Sequence, residues 1–263
     1  MMDDGLLVMQ GLNKYFQSVK GGKSILALDN ISLTIREGEF VCILGSSGCG
    51  KSTLLNSIAG LLMPDSGRIA CRGVVVDGPD RHRMLLFQDA ALFPWLDVRQ
   101  NVFYGLNLVE GLDLSYKRKR VDMMLELVGL SRFKHLRVHE LSGGMRQRAA
   151  LARSLAPDPD ILLMDEPFSA LDAMTREQLY ADLQNIWQKT GKTIVMVTHN
   201  VREAACLGSR VLVMKAPGKV VADEPVSLPY PRNMNDTSLA AAAAHISSFL
   251  TEAGNGNGSR TCA

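Results

Sequence analysis

The chain has 263 residues, 46% hydrophobic and 21% charged, with a formal net charge of +2. That is ordinary globular composition, long enough for one large domain or one domain with an inserted lobe. The charge excess is too small to argue for nucleic acid, and no apolar run reaches the roughly 18 residues of a membrane span, so any membrane role comes through a partner.

The first residues, Met1 to Gly5, carry no basic region or long apolar stretch, so they do not read as a secretion signal. Leu6 to Met9 reads as a strand, followed by the aromatic pair Tyr15-Phe16 beside Lys14. Lys20-Gly21-Gly22-Lys23 is a turn signal, and Ile25 to Ile35 alternates as a half-buried antiparallel strand does. Arg36-Glu37-Gly38-Glu39 then leads into the buried strand Phe40 to Leu44.

Gly45-Ser46-Ser47-Gly48-Cys49-Gly50-Lys51-Ser52-Thr53 follows, with the spacing G-x-x-x-x-G-K-[ST]. It lies between a strand and a helix that begins Leu54-Leu55. Its glycines let successive N–H groups converge on one centre, and the helix dipole adds positive potential there. Lys51 can reach the β- and γ-phosphates of a nucleotide, and the Ser52 hydroxyl can ligate Mg²⁺.

Pro64 to Gly67 is a turn, Arg68 to Val76 gives two short strands broken at Gly73, and Met84 to Phe87 is a strand ending at Gln88. From Asp89 to Pro157 the pattern is mainly helical, which reads as a lobe inserted into the core. Within it, Lys117 to Arg120 reads as a solvated helix face. Leu141-Ser142-Gly143-Gly144 is a second phosphate-friendly element: Ser142 can cap a helix whose glycines expose N–H groups.

Ile161 to Asp165 returns to a buried strand, Thr175 to Thr190 is a helix closed by Gly191, and Thr193 to Thr198 is a β-branched strand. Val201 to Leu207 is a short helix, and Arg210 to Met214 and Lys219 to Ala222 form a hairpin. After Pro225 regularity fades, apart from a helical alanine run at Ser238 to Phe249, and Gly254 to Ser259 is low-complexity. Alternating strands and helices predict an α/β sheet with ligands at its carboxyl edge. The phosphate loop, Asp165 and His199 each follow a strand and can converge there. Asp165 suits a metal, and Glu166, one peptide on, suits a base that polarises water.

Taken together, Gly45–Thr53, Gln88, Leu141–Gly144, Ile161–Glu166, Ser169-Ala170-Leu171-Asp172 and His199 resemble the ATP-binding subunit of an ABC transporter, in that family's order and approximate spacing. The resemblance covers residues 6–230. It implies a phosphate-loop NTPase (RecA-like) α/β core with an antiparallel β subdomain and an inserted α-helical subdomain at about 89–157. An ATP-binding domain would span 1–230, and 231–263 would be a largely irregular C-terminal extension.

The family further implies ATP and Mg²⁺ as ligands and a head-to-tail homodimer with two ATP molecules between the chains. Each ATP would meet Gly45, Ser46, Ser47, Gly48, Cys49, Gly50, Lys51, Ser52 and Thr53 of one chain and Ser142, Gly143 and Gly144 of the other. Phe16, or less readily Tyr15, would stack on adenine. Ser52, Gln88 and Asp165 would serve the metal, and Glu166, His199, Lys51 and Gln88 the reaction; Gln88 would also sense Mg²⁺ and the γ-phosphate and transmit that state to the helical lobe, and Asp172 would tie the two sites together. Met145 stands where many relatives have Gln, but Ser142 and the backbone donors remain, so hydrolysis is expected to survive.

Within the family, Leu92-Phe93-Pro94-Trp95-Leu96 and Leu228-Pro229-Tyr230-Pro231-Arg232 are similar to importers of the nitrate, sulfonate and taurine group. That likeness implies separate membrane permease subunits, an indirect solute-binding protein, no nucleic acid, and a peripheral place on the cytoplasmic face of the inner membrane. Five scattered cysteines without a C-x-x-C pair agree with a reducing compartment. Cys49, near a helix N-terminus, is expected to favour the thiolate and to be a reactive handle on the site.

Overall fold

The computed structural model describes residues 5–17, 22 and 24–251. The turn read at Lys20–Lys23, Gly22 apart, and the Gly254–Ser259 tail lie outside the described residues. In chain order come β1 (Leu7–Gln17), β2 (Ser24–Ile35), β3 (Phe40–Gly45), α1 (Lys51–Ile58), β4 (Ser66–Cys71), β5 (Val74–Val75) and β6 (Arg83–Leu86). Then follow α2 (Val98–Gly105), α3 (Leu114–Leu127), α4 (Gly143–Leu155), β7 (Ile161–Asp165), α5 (Ala173–Thr190) and β8 (Thr193–Thr198). The last elements are α6 (Val201–Leu207), β9 (Arg210–Lys215), β10 (Lys219–Pro225) and α7 (Thr237–Thr251).

A six-stranded sheet runs β10-β9-β3-β8-β7-β6, parallel except at β10, and a four-stranded antiparallel sheet runs β2-β1-β4-β5. The central strands β3 and β8 are buried along their whole length, which is why they read as unbroken apolar runs. Alternation divides their side chains between two cores. Phe40, Cys42 and Leu44 join the helices, whereas Val41 and Ile43 join α1 and the antiparallel sheet. The helical lobe is the crossover between the parallel neighbours β6 and β7, so the insertion leaves the sheet order intact.

Local differences from the sequence reading have local causes. β1 runs on to Gln17 because Tyr15 and Phe16 pair with Leu26 and Ile25 of β2. α5 begins at Ala173 because the Asp172 side chain accepts from Thr175 N–H and caps it. A domain end at 230 falls inside packed structure. α7 (Thr237–Thr251) matches the helical alanine run read at Ser238–Phe249, and it buries Leu239, Ala243 and Ile246 against α6 and β9.

The connection into α7 is pinned by Arg232, only 6% exposed. Its guanidinium donates to the carbonyls of Ala205 (2.8 Å), Gly208 (2.6 Å), Val226 (2.8 Å) and Leu228 (3.0 Å), and stacks 3.9 Å from the Tyr230 ring centroid. Ala205 and Gly208 lie at the C-terminal end of α6, where carbonyls are left over and a cation is favoured. Arg232→Leu would strand several buried carbonyls, so it should destabilise the fold by about 3 kcal/mol in urea denaturation. A loss below about 1 kcal/mol would show that the connection is held by other contacts.

Candidate functional site

β3, β8 and β7 are adjacent and parallel, so their carboxyl ends present three loops at one edge. The first is Gly45–Thr53. Gly50, at φ 105°, is the N-cap of α1, and no side chain caps that helix. The first-turn amides are therefore free to meet an anion. A Cβ at Gly50 would lie 2.3 Å from the Ala27 carbonyl oxygen, so the close approach of β2 to the loop requires glycine. Lys51 is buried, and its Nζ donates to the carbonyls of Gly45 and Ser46, each at 2.9 Å. The cation is thus held over the loop, satisfied by carbonyls that a phosphate could replace.

The second loop follows β7. Ser52 Oγ donates to Asp165 Oδ1 at 3.1 Å. Burial pushes the Asp165 carboxyl up, and the Ser52 bond opposes that shift. This hydroxyl–carboxylate pair is a hard-oxygen set suited to Mg²⁺, which takes one or two protein oxygens and fills the rest of its shell with phosphate and water. Glu166 turns away from its neighbour through a left-handed backbone at φ 42°. Its N–H donates to the Val197 carbonyl at 3.1 Å, and its own carbonyl accepts from Ser169 Oγ at 3.0 Å. A non-glycine residue in this left-handed region is strained, and these two bonds hold it there.

The third loop follows β8. His199 Nδ1 lies 3.0 Å from Glu166 Oε2, with the imidazole largely exposed. Behind it the buried Glu203 accepts from the Thr198 hydroxyl, which also accepts from Asn200 N–H at 3.0 Å. Burial pushes the Glu203 carboxyl up. The structure therefore brings Lys51, Ser52, Asp165, Glu166 and His199 to one edge through linked contacts.

Other predicted residues sit apart. Phe16 and Tyr15 are exposed on β1, with Lys14 Nζ 5.9 Å from the Phe16 centroid. Ser142 caps α4 by accepting from Met145 N–H at 3.2 Å. Gly143 and Gly144 abut Leu171 and Thr175, not the phosphate loop: a Cβ at Gly144 would lie 2.6 Å from Thr175 Cγ2. Asp172 caps α5, and the Thr175 backbone bond holds its carboxyl below the usual range. Gln88 is exposed, but its carbonyl accepts from Gln147 Nε2 at 3.0 Å. Gln147, Glu203 and Arg232 were not singled out from sequence. For Gln147 a signal existed: it shares the inward stripe of α4 with Gly144 and Leu151.

Cys49 differs from expectation. It is 1% exposed, and burial pushes its thiol up, outweighing the opposing field of Lys51. Burial thus disfavours the thiolate that the helix N-terminus alone would favour at this position.

An ABC transporter family profile matches residues 28–169. The taurine import ATP-binding protein TauB of Ruegeria pomeroyi is 50% identical over 200 residues, which is 76% of this chain and 74% of that protein. The corresponding protein of Roseobacter denitrificans is 47% identical over 215 residues, covering 81% and 80%. Among solved structures, the ATP-binding cassette MJ0796, as a dimer in a post-hydrolysis state bound to ADP and Pi, superposes with a TM-score of 0.73 at 34% identity. The match covers 85% of this chain and all of that one.

A raised thiol pKa leaves less thiolate at neutral pH. Iodoacetamide should therefore modify Cys49 at least about tenfold more slowly in the folded chain than in urea. Peptide mapping of the alkylated chain checks this, and equal rates in the two states would contradict the burial.

Proposed function

The chain belongs to the ABC transporter family of ATP-binding proteins, and on that premise we propose that it drives import of taurine or a kindred small sulfonate through separate permease subunits. The observation that carries the reading is the 50% identity to a taurine import ATP-binding protein across three quarters of each chain. The Phe93–Trp95–Tyr104 cluster supports the permease contact. Its rings are 5.5 Å and 4.5 Å apart, and Trp95 is 67% exposed, an aromatic surface suited to docking. In this reading the chain sits on the cytoplasmic face of the inner membrane, held there by the permease. Among the described residues no helix is long and apolar enough to cross a membrane.

ATP binds with its phosphates on the α1 amides and the Gly45–Thr53 loop, while Phe16 stacks on the adenine. Lys51 exchanges the Gly45 and Ser46 carbonyls for β- and γ-phosphate oxygens. Ser52, Asp165 and Gln88 would hold Mg²⁺, which would neutralise charge on the phosphates. Glu166 accepts a proton from the attacking water, and His199, 3.0 Å from it, keeps that carboxylate oriented toward the γ-phosphate. Ser142 and the amides of Gly143 and Gly144 close over the γ-phosphate held by a second copy, with Asp172 at the junction. ATP therefore favours the closed pair, and ADP, lacking the bridging phosphate, releases it.

Glu166→Gln should lower kcat by at least about a hundredfold while ATP binding persists, because a positioned base contributes that much. Gel filtration should then find an ATP-dependent dimer. Undiminished hydrolysis would remove Glu166 from the base role. Trp95→Asp should release the chain from permease-containing membranes in a sedimentation assay, and unchanged association would move the docking surface elsewhere. Transport assays with radiolabelled taurine, nitrate and an alkanesulfonate test the solute. Uptake of none of them in a strain that expresses the whole system would overturn the assignment.

A further inference from the structure

α4 carries a buried polar group that the ATP site itself does not use. Gln147 lies one turn from Gly144 and one from Leu151 on the inward stripe and is 7% exposed. Its Nε2 donates to the Gln88 carbonyl at 3.0 Å, which leaves Oε1 as a buried acceptor without a partner. A buried acceptor left unpaired costs free energy, so an apolar side chain of similar shape would pack α4 on the core at lower cost. What an apolar side chain lacks is a grip on the Gln88 backbone.

The grip joins two parts with different tasks. The exposed Gln88 side chain belongs to the chain's own nucleotide. The N-terminus of α4, capped by Ser142, belongs to the nucleotide of the other copy. Gln147 sits only about one helical turn beyond that end, so a shift at Gln88 reaches Ser142 through a single rigid turn. Arg153, further along α4, donates to the carbonyls of Ala90 (3.1 Å) and Ala91 (2.8 Å). The segment would therefore stay attached to α4 without Gln147, and only its register at Gln88 would be lost.

We propose that Gln147 is a positioning residue whose bond to the Gln88 carbonyl makes the Gln88 segment and the Ser142–Gly144 helix end move together. That Gln88 passes the state of the γ-phosphate to the helical lobe is already implied by the family resemblance; what Gln147 adds is the bond by which that state reaches Ser142–Gly144. The inference rests on the two-copy ATP sandwich described above.

The test compares the full-length chain with Gln147→Met, which removes both the donor and the orphaned acceptor at similar length. The melting temperature should not fall, and the KM for ATP should stay within about twofold. The kcat should drop about tenfold, the worth of one hydrogen bond made in the active arrangement, and positive cooperativity in ATP should vanish. Hydrogen exchange supplies a second readout: MgATP should protect the first turn of α4 in the parent chain but not in the variant. A variant with parental kcat and cooperativity would overturn the proposal. So would a lowered melting temperature with cooperativity intact, which would make Gln147 a packing residue. If the parent chain itself shows no cooperativity, and Glu166→Gln stays monomeric with ATP, the sandwich reading fails and the coupling falls with it.

Discussion

The site depends on the pairing of three buried parallel strands. β3, β8 and β7 are locked in register, with Leu44 opposite Thr198 and Asp165 opposite Val197. That ladder puts Lys51, Asp165 with Glu166, and His199 on one edge although they lie far apart in the chain. Register is strongly specified here because each strand is buried on both faces, and a one-residue slip would exchange the two cores. The same slip would carry Asp165 away from Ser52 and His199 away from Glu166. Chemistry at this edge is thus secured by the apolar packing of the strands behind it.

Set against this rigid edge, the helical lobe is the part free to respond. It enters the chain as the crossover between β6 and β7, so its helices can shift without breaking the sheet ladder. Its helices share one apolar core with β6, β7 and α5, and Arg148 of α4 pairs with Asp182 of α5. Specific links are added to this: Gln147 and Arg153 reach the 88–91 segment, and Gly143 and Gly144 abut Leu171 and Thr175. A γ-phosphate alters the balance between lobe positions only by making contacts that ADP cannot make. On the proposed reading, links of this kind would turn a phosphate contact into a displacement of the lobe.

Much of this was legible in the sequence, for physical reasons that differ by residue. Buried parallel strands announce themselves as apolar runs, which is why Ile161–Asp165 and Thr193–Thr198 were readable to the residue. Val201–Leu207 was readable because Asn200 caps it and Gly208 ends it. The extension of β1 to Gln17 was not, since it depends on partners in β2. Cys49 misled because a helix dipole can be read from sequence whereas burial by a neighbouring strand cannot: the fold places the thiol beneath the loop, and desolvation wins. After 230 the helix was legible as an alanine run, but what holds the connection into it was not. Its anchor, Arg232, is a charged residue in a polar-looking stretch, and only the fold reveals the carbonyls it satisfies.

Arg232 and Gln147 share a logic that separates them from the apolar core. Each is a polar side chain buried where hydrocarbon would be the less demanding filler, and each spends its donors on main-chain carbonyls of another segment. A carbonyl is present whatever residue occupies the position, so such a bond fixes the path of the backbone and leaves the side chain there free for other work. At Gln88 the residue stays exposed while its backbone is held. Along the route to α7 such bonds fix the chain from Val226 to Arg232 over the end of α6, which immediately follows His199 and Asn200. The connection to the C-terminal helix is thereby tied to the far end of α6, the helix that the His199 loop leads into. A nucleotide site built on exposed loops gains its precision in this way, from buried donors that grip backbone one layer behind the side chains at its surface.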